Sequence, residues 1–168
     1  MKIKITKANA NGNSFILINN IPKKSLTNGS IISDICNQYN TDGLIILNSS
    51  NINNIIMDYY NNDGSWETFC LNGLRCASAL IFKKLKIKNI DIICNKIVFN
   101  TKILDNNFVQ VKLPEPQYKS NNIKVVNLIG DFINSGAKHF VINYNKKWPN
   151  IDKLVEISKC IRYNTSLF

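Results

Sequence analysis

The segment from residue 61 to residue 86 constrains this chain most. A turn-rich run, Asn61-Asn62-Asp63-Gly64-Ser65, leads to Cys70, after which Leu74, Ala77/Ser78, Ile81 and Leu85 recur at helical spacing. That stripe predicts a helix over residues 72–86. Compact apolar runs of β type stand on either side of it, at 44–47 and 55–60 before and at 90–94, 97–103 and 108–113 after. The last two read as a hairpin through Asp105-Asn106-Asn107. The class is α+β, strand-rich with long helices.

The flanks fit the same class. Residues 2–7 alternate Ile and Lys and residues 15–18 are apolar, which predicts two strands joined by the Asn/Gly turn at 9–13. A helix over 30–39 has Ile31, Ile32, Ile35 and Cys36 on one face and Ser30 as its cap. Pro114 and Pro116 break the strand pattern, so the domains are read as 1–116 and 117–168. The second holds strands at 123–128 and 139–144 and a helix over 149–163. Pro149 sits in its first turn, and Leu154, Ile157 and Ile161 share one face. A segment of about 50 residues is too short to bury a comfortable core alone. It is therefore expected to be the start of a domain cut short.

Charge invites a nucleic-acid reading that the residue types oppose. The net charge is +10, but only Arg75 and Arg162 among the 21 basic residues are arginine, the side chain that phosphate and base readout favour. With 28 Asn and 27 Ile beside the lysines, residues of A/T-rich codons make up nearly half the chain. Codon bias thus accounts for the excess without a polyanion. The lysine cluster at 83–88 reads as a solvated helix end. No apolar run approaches the ~18 residues of a membrane span, and the opening MKIKITKANANGNSF has no apolar signal core. The expectation is a soluble, cytoplasmic protein with neither a nucleic-acid nor a membrane partner.

Five cysteines, Cys36, Cys70, Cys76, Cys94 and Cys160, form no C-x-x-C, and a single histidine leaves no zinc constellation. Their default is a small buried hydrophobe. Cys36 and Cys94 lie on apolar stripes, and Cys76 reads as core as well. Cys70 differs in position, just before a helix start, where free N–H donors and a partial positive charge collect. A thiol so placed can fall from a pKa near ~8.5 to between ~3.5 and ~7.5, giving a proton-abstracting thiolate. The N–H groups of Leu71 and Asn72 would meet a carboxylate docked beside it. Position alone leaves open that Cys70 is a packed hydrophobe ahead of an ordinary helix.

Residues 61–76, NNDGSWETFCLNGLRC, resemble the diaminopimelate epimerase pattern N-x-D-G-S-x4-C-G-N-G-x-R-C. KANANGNSF at 7–15 resembles the family's K-M-x-G-x-G-N-D-F, LPEPQ at 113–117 its G-E-P strand end, and GAKH at 136–139 its G-N-P-H. The resemblance implies a mixed, strand-rich sheet wrapped around a central helix, followed by a pseudo-symmetric second domain that is incomplete here. It implies a cofactor-independent epimerase converting LL- to meso-diaminopimelate, with a homodimer as the working form and no metal. One cysteine removes the α-proton as thiolate and a second delivers a proton from the opposite face. Cys70 matches the first. Asn13 and Asn61 match side chains that bind the amino-acid substrate, and Leu71 and Asn72 match backbone donors to its α-carboxylate. Gly73 and His139 stand at further motif positions, with His139 read as orienting a loop.

Departures are specific. The E-C-G-T/S-G motif of the second cysteine has no counterpart, and Cys160 falls on an amphipathic helix. Leu71 replaces a glycine, which strains the backbone at positive φ and is harmless in a helix. The family's D-Q pair reads Asp42-Gly43, so Gly43 replaces its Gln; Ala137 replaces the Asn of G-N-P-H, and Lys138 its proline. These leave room for a related racemase of another amino acid, or for a non-catalytic assembly partner. Trp66, Tyr59 and Tyr60 read as walls of the loop, and Asp63 and Ser65 as its turn residues.

Overall fold

The computed structural model describes residues 3–21, 28–51, 54–144 and 147–163. Residue 2 of the first strand reading and the chain end at 164–168 lie outside them. The chain divides into two compact units, Met1–Leu113 and Pro114–Phe168.

In the first unit, β1 (Ile5–Ala10), β2 (Asn13–Asn19), β3 (Gly43–Asn51), β4 (Asn54–Asn61), β6 (Asn89–Cys94), β7 (Ile97–Ile103) and β8 (Val109–Val111) form one sheet in the order β1-β2-β3-β4-β6-β7-β8. The short β5 (Trp66–Glu67) pairs with β4. Two neighbouring pairs are parallel, β2 with β3 and β4 with β6. A parallel pair needs a long crossover. Helices α1 (Gly29–Tyr39) and α2 (Leu71–Leu85) lie in those two crossovers.

Alternation in the central strands sorts side chains between the two helices. Phe15, Leu17, Ile45, Leu47, Met57 and Tyr59 pack in a cluster with Leu74, Ala77 and Ile81 of α2. Ile16, Ile18, Leu44, Ile46 and Tyr60 pack in another with Ile32 and Cys36 of α1. Strands buried on both faces lose polar alternation, which is why 15–18 and 44–47 read as unbroken apolar runs. Helix α2 touches β1, β2, β3, β6, β7 and β8, so the sheet curls around it. Ser78 supplies the polar tie: its hydroxyl lies 2.8 Å from the Leu74 carbonyl and 2.9 Å from Thr101 Oγ1, which itself donates to the Ile90 carbonyl at 2.9 Å. Both hydroxyls are buried, and hydrogen bonding offsets the cost of desolvating them.

Several details depart from the sequence reading. Asn28, rather than Ser30, caps α1, its Oδ1 accepting from the Ser30 N–H at 3.1 Å. The first turn tightens to Asn11-Gly12, both at positive φ (52° and 88°), as a two-residue type I′ hairpin requires. Leu85 is exposed and does not continue the α2 stripe. Tyr60 lies on the α1 face and so does not line the same wall as Tyr59.

In the second unit, β9 (Gln117–Val125), β10 (Leu128–Asn134) and β11 (Lys138–Val141) make an antiparallel sheet in the order β11-β10-β9. The strand expected at 123–128 runs across a turn, because Val126 and Asn127 both adopt positive φ (48° and 65°). Helix α3 (Ile151–Arg162) is capped by Asn150, whose Oδ1 accepts from the Lys153 N–H at 3.0 Å. Pro149 therefore precedes the cap instead of filling the first turn. No residue of α3 is buried. Among the described residues no helix is long and apolar enough to cross a membrane.

The loop at 61–65 depends on one backbone approach. Gly64 has φ of 86° and lies against Gly29, the first residue of α1, so closely that a Cβ would collide with the Gly29 carbonyl oxygen. Gly64→Ala adds left-handed strain of ~1–2 kcal/mol to that overlap. Its denaturant midpoint is expected to fall by the equivalent of at least ~2 kcal/mol, and an unchanged midpoint would contradict the packing.

Candidate active site

The residues singled out in the first unit gather at one end of the sheet. Asn13 opens β2, Gly43 opens β3 and Asn61 closes β4, with Gly43 in register with both Phe15 and Asn61. The start of α2 joins them through Asn72, whose Nδ2 donates to Asn13 Oδ1 at 2.6 Å.

Cys70 is the N-cap residue of α2, extended at φ −130° and ψ 123°, and half-buried. The Cys70 side chain makes no cap bond to this helix. Its first internal bond runs from the Leu74 N–H to the Cys70 carbonyl at 2.8 Å, leaving the preceding N–H groups of the first turn outside the helical ladder. Leu71 is the first helical residue and is not among the positive-φ positions, so leucine replaces glycine there without strain. Gly73 is buried in the same turn, where a Cβ would sit 3.0 Å from Ile45 Cδ1 and 3.3 Å from Cys70 Cβ. A side chain at 73 would press directly on the cysteine.

The Asn61 carboxamide is held at both ends. Tyr59 Oη donates to its Oδ1 at 2.7 Å, and its Nδ2 donates to Ser65 Oγ at 3.0 Å. Asp63 Oδ1 accepts from the Ser65 N–H at 2.8 Å, closing the turn read from the sequence. Tyr59 reaches Asn61 because residue 43 has no side chain. A Cβ there would lie 2.7 Å from Tyr59 Cε2 and 2.6 Å from the Tyr60 carbonyl oxygen. Burial, and next the nearby Cys70, push the Tyr59 phenol well above its ordinary range, so it stays a neutral donor. Trp66 is exposed on β5.

Of the other cysteines, Cys36, Cys76 and Cys94 are buried. Burial, with Cys70 a lesser cause, pushes the Cys76 thiol up to about 11; burial and then Asp58 push Cys94 up to about 12. Cys160 is exposed on α3. His139 belongs to the second unit, exposed on β11 opposite Ile133. Among the described residues no group of three or more His, Cys, Asp or Glu could hold a metal ion.

Sequence reasoning treated Asp42 only as half of an altered pair and gave Arg75 no role. In the structure the Asp42 carboxylate accepts from the Ser14 N–H at 2.8 Å and the Ser14 hydroxyl at 3.0 Å. Arg75 Nη1 donates to Asn72 Oδ1 at 2.8 Å. The Asp42–Ser14 contact spans 28 positions, whereas Asn72 and Arg75 are one i,i+3 step apart.

A strand-rich sheet curled on one helix is a fold shared with solved proteins. Similar folds occur in a predicted epimerase from Pseudomonas aeruginosa (TM-score 0.60, 6% identity, 86% of this chain and 61% of that one) and in a phenazine biosynthesis protein of the PhzF family from Bacillus anthracis (TM-score 0.55, 18% identity, 84% and 56%). The diaminopimelate epimerase family model matches residues 5–119. The chain belongs to the diaminopimelate epimerase family. Relatives so named include those of Hydrogenobaculum sp. (30% identical, 95% of this chain and 64% of the relative) and of Buchnera aphidicola subsp. Baizongia pistaciae (33%, 99% and 59%). The chain thus spans about three-fifths of the length of these curated relatives.

Proposed function

We propose that this chain carries the proton-abstracting half of a cofactor-independent epimerase that interconverts LL- and meso-diaminopimelate. One observation carries the reading. The chain holds 28 asparagines, and asparagine caps α1 and α3 with hydrogen bonds, yet α2 begins on a cysteine whose side chain caps nothing. Family membership and relatives named diaminopimelate epimerase support the substrate.

In this reading the Cys70 thiolate takes the α-proton, breaking C–H and forming S–H. The electron pair left at Cα spreads into the α-carboxylate, which the Leu71 and Asn72 N–H groups hold at the positive end of α2. Asn13 and Asn61 orient the substrate from the adjoining strand ends. Inversion needs an acid on the opposite face. Cys36 and Cys76 lie inside helices, Cys94 on β6 and Cys160 inside α3, so none of them repeats the helix-start position of Cys70. The thiol of Cys70 returns a solvent proton to the face it came from. Alone, the chain exchanges the α-proton without inverting the centre.

Thiol labelling tests the substrate assignment. At pH 8 iodoacetamide is expected to modify Cys70 and Cys160 ahead of the buried cysteines, two of which burial pushes up to about 11 and about 12. Diaminopimelate is expected to protect Cys70 and leave Cys160 unprotected. Labelling of Cys70 unaffected by millimolar diaminopimelate would contradict the reading. Gly43 favours a second one, a racemase of another amino acid, since the space of the family's glutamine is taken by Tyr59. Protection by a different amino acid, and not by diaminopimelate, would select it.

A further inference from the structure

Four side chains from three separate stretches of the sequence stand in series at the start of α2. Arg75 Nη1 donates to Asn72 Oδ1 at 2.8 Å, and Asn72 Nδ2 donates to Asn13 Oδ1 at 2.6 Å. Asn11 Nδ2 adds a longer contact, 3.4 Å, to the same Asn72 oxygen. Beyond Asn13 stands Asp42, whose carboxylate takes two bonds from Ser14 and is further favoured in its charged form by the nearby Asn13 side chain.

The two ends of this series dictate its polarity. A guanidinium only donates and an ionised carboxylate only accepts. Asn72 must therefore turn its oxygen to Arg75, which sends its NH2 to Asn13. Asn13 must turn its oxygen to Asn72, which sends its own NH2 toward Asp42. A carboxamide is nearly symmetric in shape, so only its partners fix its orientation. Here charge fixes both amides.

We propose that Arg75, Asn72 and Asn13 form a one-way hydrogen-bond relay, running toward the Asp42 carboxylate, that sets the polarity of the candidate substrate site, with Arg75 and Asp42 as positioning residues. Its effect on binding rests on the reading of Asn13 as a substrate-facing group. With its oxygen turned to Asn72, Asn13 offers the amide nitrogen on the Asp42 side, where it meets an acceptor atom of the ligand. The Asn72 side chain is committed to the relay, which leaves its backbone N–H as its contribution to an α-carboxylate.

Two variants break the relay at different links. Arg75→Met keeps an unbranched apolar stem and removes the donor. Asn72→Asp still accepts from Arg75 but cannot donate to Asn13. In 15N-labelled protein, the side-chain NH2 resonances of Asn13 are expected to move in both. Arg75→Lys, which keeps a charged donor, is expected to return them toward the parent position. Those of Asn100, whose Nδ2 donates to Asp91 at 2.8 Å, serve as the fixed reference. Asn13 resonances unmoved by Arg75→Met would overturn the relay. Calorimetry with diaminopimelate reads the positioning role separately, with affinity expected to fall ~10- to 100-fold in Asn72→Asp. Shifted resonances with unchanged affinity would overturn that role. A parent chain that binds no diaminopimelate would overturn the substrate reading, and the relay would then stand or fall on the Asn13 resonances alone.

Discussion

Serine in place of Cys70 gives a chain that folds at least as well as the parent and has lost α-proton exchange. The two effects come from one position. Serine is among the preferred N-cap residues and cysteine is not, a hydroxyl cap being worth ~1 kcal/mol. Cys70 already has the extended backbone of a cap and makes no cap bond with its side chain. A serine there can accept from the open first turn and raise stability. The same exchange replaces an ionisable thiol with a hydroxyl that stays protonated at neutral pH, and positioned proton transfer contributes ~10²- to 10⁴-fold. Thermal melts beside α-deuterium incorporation check both halves. Exchange that persists in Cys70→Ser would remove the cysteine from the mechanism. A stability loss with exchange abolished would instead mark Cys70 as a packing residue.

Phe99→Ala is expected to cost ~3–5 kcal/mol, the range for deleting a fully buried aromatic ring. Phe99 is fully buried on β7, opposite Ile92, inside the cluster that packs on α2. Its ring lies 4.7 Å from that of Phe69, centroid to centroid. Phe69 immediately precedes Cys70, so this aromatic pair anchors the approach to the helix start. The cavity left by alanine therefore loosens the cysteine as well as the core. Urea unfolding measures the first effect. The second is read as slower exchange per folded molecule at a temperature where the variant is still native. A cost below ~1 kcal/mol would mean the core closes over the gap, contrary to the packing described.

Much of the first unit is legible in the residue pattern. The α2 stripe of Leu74, Ala77, Ser78 and Ile81 is fully buried or nearly so, and β7 spans the residues read for it. Strands buried on both faces, such as β2, announce themselves as apolar runs. Elements that defy propensity do not. Val126, β-branched, sits at positive φ in a hairpin turn, where local preference argues for continuing the strand. That hid the division between β9 and β10. Two-residue β5 is too short to carry a period.

The candidate site splits the same way. Cys70, Asn13, Asn61, Leu71, Asn72 and Gly73 were found by motif, and the sheet brings the strand ends that bear Asn13 and Asn61 to the start of α2. The partners that orient them were not found, because they come from elsewhere in the chain. Ser14 meets Asp42 across 28 positions and Asn72 meets Asn13 across 59. Tyr59 and Asn61 are two apart in sequence, but their contact depends on the side chain missing from Gly43 on the neighbouring strand. Such pairs follow from sheet register, which a single sequence does not reveal.

The most direct measurement is to incubate this chain with LL-diaminopimelate and, separately, with meso-diaminopimelate in D2O. Mass spectrometry then reads deuterium at Cα, and chiral chromatography reads the stereoisomer. The account predicts deuterium uptake that depends on Cys70, with the starting stereoisomer retained. No uptake above that of Cys70→Ser would contradict the assignment of Cys70 as the base, and inverted product from this chain alone would contradict the single-cysteine mechanism.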